Sequence, residues 1–448
     1  IRPTSSRSSA RVSAVWTNDN ESSKLNKEGN SVTNSLRDLN ATNSNFSICC
    51  IPLMNSEQMI LGVMQLSCNW KVTTEDLKLL ESFAVFAAVS LERTQLKELA
   101  TRGKAEIDLD TWIMPQERDI FDKPPMKFIL PKVTVKQFWT VNFDAPAWDG
   151  IGHIRVIFSI FYKFKLLQEF KVTNEKFFRF LTEIRDTYKK VPYHNWRHAV
   201  DVTQFTTYEL LISRFDQHLT KFELFGLLVS AVCHDANHDG FTNVYNVKAE
   251  TPLGILFKNQ SVMETHHCQV AINVISKEET HIFETFQKDE YKKMWGLIIS
   301  LILSTDMARH FDIINTFNNL KDTESFNMTI TEHRILIMQI ILKCADISNV
   351  ARPFELADKW CDVLCEEFFR QGDLERANGM EFTSPNNDRE HLDKPKSQIG
   401  FYTFVCLPLF QTAARAIPAL QCNVDQVSSN LNRWKAAQEE ATKDQSQT

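Results

Sequence analysis

Over residues 133–440, apolar side chains recur at the period of an α-helix, and short polar breaks separate the apolar segments. Such spacing places the apolar positions on one face, so each segment predicts an amphipathic helix. Alternating strand patterns are few here, so we predict an all-α domain of ~300 residues. The predicted helices are Ile151–Phe170, Asn174–Lys189, His198–Ser213, Lys221–Cys233, Tyr291–Met307, Thr331–Ala345 and Phe354–Gln371.

A different pattern comes before this domain, in residues 45–100. Phe46–Leu53 and Ile60–Leu66 are apolar runs separated by a polar turn, which predicts a β-hairpin. Thr73 and Asp76 then mark a helix start, and apolar residues at helical spacing follow them. We therefore predict a small α+β unit made of two strands and one helix.

Two segments lack a core pattern. Residues 1–44 are rich in Ser, Asn and Thr, which predicts a loop or disordered stretch. Residues 101–132 are charged and then carry Pro124-Pro125, which predicts a connecting helix and a linker. The chain starts at Ile1 and not at Met, so we expect it to be a fragment of a longer protein.

Composition narrows the class of protein. A formal charge of -6 without a basic block argues against a nucleic-acid surface, which requires clustered Lys and Arg. Apolar runs are near ten residues, short of the ~20 that cross a bilayer, and no signal peptide is visible, so we expect no membrane span. Ten cysteines without paired CxxC spacing indicate reduced thiols and a cytoplasmic protein.

Ionisable side chains stand at the ends of three apolar helices. His234 and Asp235 directly follow one helix, Asp346 ends another, and His198 begins a third, four residues after His194. A lone histidine is more often a core residue than a ligand. However, burying several unpaired ionisable groups is costly, and a divalent metal that accepts nitrogen and oxygen ligands removes that cost. This repetition predicts a metal site, with Glu264 of METHHC placed to support it.

The order of these residues resembles a known family. The arrangement His198, His234-Asp235, Asp346 is similar to that of the HD metallohydrolases. More narrowly, PYHNWRHAVDV, HDANHDGFTN, METHHC, STDMARH, ADISN and SQIGF occur in the order found in class I cyclic nucleotide phosphodiesterases. The likeness spans about Val133–Trp434. Ala236 and Asn237 depart from the usual family residues, and we expect them to tune activity and not to abolish it.

The resemblance implies hydrolysis of a 3',5'-cyclic nucleotide to the 5'-monophosphate, with two metals lowering the pKa of a bridging water. It implies Zn²⁺ in one metal site and Mg²⁺ or Mn²⁺ in the other, with Asp235 shared between them. His194 is implied as the general acid that protonates the leaving oxygen. The zinc ligands would be His198, His234, Asp235 and Asp346, and the waters of the second metal would be oriented by His238, Glu264 and Thr305. The carboxylate that orients His194 is not identified.

The resemblance also implies a purine pocket. Gln398 would hydrogen-bond the base, Phe401 and Leu364 would hold its two faces, and Tyr193 and Asn349 would line the same pocket. A glutamine amide can present its donor and acceptor either way round, so Gln398 alone permits adenine or guanine. Asn349 with Ser397 resembles cAMP-selective members, whereas DISN also occurs in a cGMP-selective one. We expect cAMP as the main substrate, with cGMP left open.

Residues 45–100 resemble the closing part of a GAF domain, through CCIPLMNSEQMILGVMQL and TTEDLKLLESFAVFAAVSLE. The segment either binds a nucleotide or serves only for packing. The amphipathic stripe over residues 80–99 raises the hypothesis of a homodimer. Two alternative functions stay open, namely another HD-type phosphohydrolase and an inactive, cyclic-nucleotide-binding regulatory protein.

Overall fold

The computed structural model describes residues 11–15, 47–54, 60–68, 130, 138–257 and 261–445, together with six positions between residues 73 and 88. The chain divides into two compact units, residues 1–114 and residues 115–448. The second unit is helical, as the apolar periodicity predicts. The boundaries of the smaller segments within residues 1–132 stay a prediction.

The first unit contains a three-stranded sheet with the strand order β1-β3-β2. The strands are β1 (Arg11–Val15), β2 (Ser47–Met54) and β3 (Ile60–Cys68), and β3 pairs antiparallel with both neighbours. The predicted hairpin is therefore confirmed, whereas β1 lies within residues 1–44, where we predicted no strand. Ala84 and Ala88 are helical and pack against Leu53, as the predicted amphipathic helix requires. Most of residues 80–99, where we placed a dimer surface, lie outside the described residues.

The second unit is built from α-helices joined by short turns. The helices are α1 (Gly150–Lys163), α2 (Leu166–Glu169), α3 (Asn174–Thr187), α4 (Trp196–Ser213), α5 (Lys221–Cys233), α6 (Asn243–Lys248), α7 (Pro252–Phe257), α8 (Val262–Ile275), α9 (Lys288–Leu303), α10 (His310–Asp322), α11 (Thr331–Asp346), α12 (Phe354–Ala377), α13 (Lys394–Phe401), α14 (Leu407–Ala416) and α15 (Gln421–Gln445). Short 3-10 turns connect them at Ala145–Ala147, Phe215–Gln217, Glu278–Thr280, Met307–Arg309, Ser348–Ala351, Pro385–Asn387 and Pro418–Leu420. None of the described helices has the length and apolarity needed to cross a bilayer.

The core is centred on α5. Its start is fixed by a capping box, in which Thr220 accepts from the Glu223 backbone and the Glu223 side chain accepts from the Thr220 backbone. The residues Leu224 to Cys233 are buried, and the helix packs against α4 and α9. Because the apolar run ends where the helix ends, His234 and Asp235 stand at the first turn beyond a rigid, buried element.

The predicted helices differ from the observed ones at particular residues. The predicted helix Ile151–Phe170 is broken into α1 and α2, because Lys165 adopts φ 58°, a left-handed conformation that a helix interior cannot contain. Lys221–Cys233 is confirmed at both ends. Among the helices of the described residues, seven were not predicted, namely α6, α7, α8, α10, α13, α14 and α15.

A π-helical turn, Tyr402–Cys406, lies between α13 and α14. The N–H of Leu407 donates to the carbonyl of Tyr402, five residues back. Pro408 follows, and proline has no N–H and clashes with the carbonyl four residues back, so a regular α-helical turn is disfavoured here. The His310 ring nitrogen Nε2 lies 3.2 Å from the Val405 carbonyl oxygen, which ties this turn to the start of α10.

A buried ion pair joins α4 to the turn before α12. Arg352 is fully buried, and its guanidinium contacts Asp201 at 2.9 Å. The same guanidinium donates to Gln204 Oε1 at 2.9 Å and to the Val141 carbonyl at 3.1 Å. Burial raises the pKa of Asp201, and the charge of Arg352 opposes that rise.

We predict that Arg352→Met destabilises the protein by about 3–5 kcal/mol, because it leaves the Asp201 carboxylate buried without its cation. Urea unfolding followed by circular dichroism measures the loss. Arg433→Met is the matched control, because Arg433 forms an exposed pair with Glu355 and lies over the Phe354 ring, and its loss is expected to cost about 1–2 kcal/mol. Equal effects of the two substitutions would contradict the importance of the buried pair.

Candidate functional site

Four predicted metal ligands meet at one buried point of the second unit. His198 is on the first turn of α4, His234 and Asp235 follow α5, and Asp346 is the last residue of α11. One nitrogen or oxygen atom from each lies within 4.8 Å of every other. The Nε2 atoms of His198 and His234 are each 3.2 Å from Asp346 Oδ1, and His234 Nε2 is 3.1 Å from Asp235 Oδ2.

The cluster has the donor set of a divalent metal site. His234 Nδ1 donates to the Ala231 carbonyl at 2.9 Å, so Nε2 faces the cluster and is the nitrogen available to a metal ion. Asp235 Oδ2 is buried, and it lies 3.1 Å from His234 Nε2 and 3.4 Å from His198 Nε2. Burial opposes ionisation of Asp346, but the hydrogen bonds from His198 and His234 outweigh burial and hold its pKa below the usual range. A cation at this point would satisfy two carboxylates that otherwise repel each other.

His194 lies beside the cluster and is held by a carboxylate that the sequence did not identify. His194 Nδ1 contacts Glu367 Oε1 of α12, and Glu367 Oε2 accepts from the backbone N–H groups of Tyr193 at 2.8 Å and His194 at 3.1 Å. Burial lowers the pKa of His194, but the negative charge of Glu367 raises it to about 9. Burial likewise opposes ionisation of Glu367, yet His194 lowers its pKa to about 2.

Three imidazole rings form a stack at this end of the site. The rings of His194 and His238 lie 4.1 Å apart and nearly parallel, and the ring of His267 lies 5.5 Å from His238. Burial lowers the pKa of His238 well below the usual value, and the positive charge of His194 lowers it further. The stack therefore combines a protonated His194 with a neutral His238.

Glu264 and Thr305 line the same cleft as His194 and His238. Asn243 donates to Glu264 Oε2 at 2.9 Å, and burial raises the pKa of Glu264 to about 7. The ammonium group of Lys343 donates to the Ser304 carbonyl at 3.0 Å, which fixes the end of α9 next to Thr305. Asn237 is one of the two residues that depart from the family pattern. Its backbone adopts φ 61°, and its side-chain nitrogen Nδ2 lies 3.2 Å from His266 Nε2. Asparagine adopts that left-handed conformation more readily than most residues.

A cavity of about 900 Å³ in the second unit brings most predicted site residues together. The predicted residues that line it are Tyr193, His194, Asp235, His238, Glu264, Thr305, Asp346, Asn349, Leu364, Gln398 and Phe401. His198 and His234 do not line it, because they are buried behind Asp235 and Asp346. The metal cluster and His194 lie at one part of the wall, and the α13 residues Gln398 and Phe401 contribute another.

A helical fold with a buried His/Asp cluster facing a cleft is the architecture of a metal-dependent hydrolase. The family model described as 3'5'-cyclic nucleotide phosphodiesterase matches residues 193–427. The chain belongs to this family.

Curated relatives and a solved structure agree with this assignment. The mouse high affinity cGMP-specific 3',5'-cyclic phosphodiesterase 9A is 30% identical over 78% of this chain and 65% of its own length. The Drosophila melanogaster cGMP-specific 3',5'-cyclic phosphodiesterase is 29% identical over 90% of this chain and 36% of its own. The phosphodiesterase domain of Salpingoeca rosetta rhodopsin phosphodiesterase gives a TM-score of 0.67 at 30% identity, covering 70% of this chain and 96% of that one. The chain thus spans less than two thirds of either curated relative.

We predict that His234→Ala lowers the bound metal measured by elemental analysis of the purified protein, because the variant removes a ligand from a four-ligand set. Chelator treatment of the unsubstituted protein is expected to lower its melting temperature, since a metal that binds only the folded state stabilises it. His218→Ala is the control, because His218 is exposed and belongs to none of the possible metal-ligand groups among the described residues. Unchanged metal content in His234→Ala would contradict the metal site.

Proposed function

We propose that this protein hydrolyses purine 3',5'-cyclic nucleotides to 5'-monophosphates in the cavity described above. The observation that carries this proposal is the presence, in one cleft, of a four-ligand metal cluster and a histidine–carboxylate pair beside it. Gln398 and Phe401 supply a hydrogen-bonding amide and an aromatic face in the same cavity. The metal cluster and the histidine–carboxylate pair match the cyclic phosphate. Gln398 and Phe401 match the purine base.

The chain offers ligands for two divalent ions. We assign His198, His234, Asp235 and Asp346 to Zn²⁺, because zinc accepts mixed imidazole and carboxylate ligands. Asp235 is assigned as the shared ligand of Mg²⁺ or Mn²⁺, whose remaining waters His238, Glu264 and Thr305 would orient. When bound, such ions supply positive charge for the phosphoryl oxygens and lower the pKa of water.

His194 is assigned as the general acid for the leaving 3' oxygen. Glu367 binds Nδ1, so Nε2–H is the proton left to donate. The two backbone hydrogen bonds from Tyr193 and His194 to Glu367 fix the carboxylate as well as the ring it holds. Because His238 is neutral, its stacked ring covers one face of His194 without adding a second charge.

For the base, we propose that the site accepts both cAMP and cGMP. Among the described residues, none makes a hydrogen bond to the Gln398 side chain, so the amide is free to rotate and match either purine edge. Ser397, which suggested cAMP in the sequence, donates to Asn386 Oδ1 at 2.9 Å. The cGMP-specific names of the relatives do not support cAMP as the main substrate.

We predict that His194→Ala lowers kcat for both nucleotides by about 10²- to 10⁴-fold, the usual contribution of a positioned acid. The pKa of His194 is raised, so the acid form persists above pH 6.5 and activity is expected to fall as pH approaches 9. Glu367→Gln removes the main cause of that rise and should move the alkaline fall to lower pH. Rates of cAMP and cGMP hydrolysis as a function of pH measure both effects.

Glu366→Gln is the control for this experiment, because the neighbouring Glu366 is partly exposed and pairs with Arg370 instead of His194. Its pH profile should match that of the unsubstituted protein. Absence of hydrolysis of either nucleotide by the metal-loaded protein would reject the proposed function. An unchanged alkaline limb in Glu367→Gln would reject the role of Glu367.

We predict that Gln398→Ala raises KM for cAMP and cGMP together, because the same amide serves both bases. Loss of one hydrogen-bonded contact is expected to cost about 1–3 kcal/mol in kcat/KM. Steady-state kinetics with each nucleotide checks this, with Gln421→Ala on the surface of α15 as the control. If Gln398→Ala leaves the KM for both nucleotides and the preference between them unchanged, the result would instead favour an HD-type phosphohydrolase with another substrate.

A further inference from the structure

Two cysteines form a thiol pair on α12. Cys361 and Cys365 are one helical turn apart, and their sulfur atoms lie 3.9 Å from each other. Cys361 is buried and Cys365 is partly exposed, so a reagent from solvent reaches the pair through Cys365. Neither residue takes part in the proposed hydrolysis.

The pair lies on the α12 face that meets α13. Two carboxylates of the same face, Asp358 and Asp362, contact the ammonium group of Lys394 at the start of α13. The hydrogen bond from Cys361 lowers the pKa of Cys365, and the positive charge of Lys394 lowers it further, while burial opposes both. Cys365 is therefore the thiol that ionises first and reacts first.

The geometry of the pair favours binding of both sulfurs to one central atom over formation of a disulfide bond. Side chains one turn apart on a helix have Cβ atoms about 5–6 Å apart, whereas a disulfide requires about 3.5–4.5 Å. A disulfide would thus distort α12. By contrast, two sulfurs that bind one tetrahedral ion at about 2.3 Å stand about 3.8 Å apart. The observed separation is 3.9 Å, so the undistorted helix already presents the spacing that a tetrahedral ion requires.

We propose that Cys361 and Cys365 form a dithiol site that binds a thiophilic centre, either a trivalent arsenical or a soft divalent metal ion, separate from the His/Asp cluster. With an arsenical R–As(OH)₂, two As–S bonds form and two As–O bonds break. The two thiol protons leave with the two hydroxyl groups as water, and no atom changes oxidation state.

Occupation of the dithiol site affects the cleft. Leu364, between the two cysteines in sequence, lines the cavity, and so do Gln398 and Phe401 of α13. A centre bound beside Lys394 displaces the contacts that join α12 to α13. It therefore shifts the base-binding residues more than the metal cluster, and raises KM more than it lowers kcat. This second part rests on the proposed function, whereas binding itself does not.

The binding experiment uses the full chain carrying Cys50→Ser, which removes the adjacent Cys49-Cys50 pair of the first unit. The protein is treated with phenylarsine oxide and then measured by intact mass under native conditions. We expect one arsenical per chain, released by a dithiol and not by a monothiol. Cys361→Ala and Cys365→Ser should each abolish uptake, while Cys422→Ser, which removes an exposed single thiol, should not. A parallel titration with Cd²⁺ should give a thiolate-to-metal ultraviolet absorption band. A variant that carries both Cys361→Ala and Cys365→Ser should lack this band.

The kinetic arm measures KM and kcat for cAMP and cGMP before and after phenylarsine oxide. We expect KM to rise about 10-fold, since sub-ångström to 1 Å misplacement of binding groups has effects of up to about 10²-fold. Uptake that survives both cysteine substitutions, or a disulfide in place of the adduct, overturns the site. Stoichiometric uptake without a change in KM overturns the coupling to the cleft. A chain that hydrolyses neither nucleotide rejects the proposed function and leaves the mass result to decide the site.

Discussion

The centre of the second unit brings together two carboxylates that repel each other, the buried Asp235 and the partly exposed Asp346. Asp235 follows α5 and Asp346 ends α11, and both lie against the same two imidazole nitrogens. Like charges in a low-dielectric interior are tolerated only when a positive charge lies between them. The apolar packing of α4, α5 and α11 forces these residues together, so the energy of the core opposes the electrostatic cost. Metal affinity is in this sense a property of the whole core as well as of four side chains.

Within the same site, two neighbouring histidines have pKa values that are shifted in opposite directions. His194 and His238 are stacked at 4.1 Å, yet the pKa of one is raised and that of the other is lowered. The difference comes from Glu367, whose carboxylate contacts the Nδ1 atom of the His194 ring. Two adjacent titratable groups whose pKa values are driven apart provide a proton donor next to a neutral ring, an arrangement that acid–base catalysis uses repeatedly.

The sequence predicted candidate site residues where an apolar helical run is followed directly by ionisable side chains. The apolar run of α5 ends at Cys233, and the two residues that follow it had to be buried and polar at once, so His234 and Asp235 could be predicted as candidate ligands. Glu367 was not, because it follows Glu366 in a charged helix and its partner lies 173 residues away. Nothing local distinguishes the buried glutamate from the exposed one.

Some helices escaped prediction for related physical reasons. α13 is eight residues long and none of its residues is buried, so it carries no apolar stripe. The break at Lys165 was also invisible, since a lysine gives no signal of left-handed backbone. In the first unit, β1 has only five residues and is held in the sheet by pairing with β3. This pairing joins residues far apart in the sequence, so no local pattern predicts it.

The π-helical turn before Pro408 has a consequence for how this cleft tolerates change in chain length. A π turn holds one residue more than an α turn, and each residue of a helix advances about 100° around its axis. Deleting one residue between Tyr402 and Cys406 would restore a regular turn and rotate α13 relative to α14 by that angle. Gln398 and Phe401 would then turn away from the cavity, and the face of α13 that packs against α15 would turn with them. The length of this turn therefore determines which residues of α13 face the cavity.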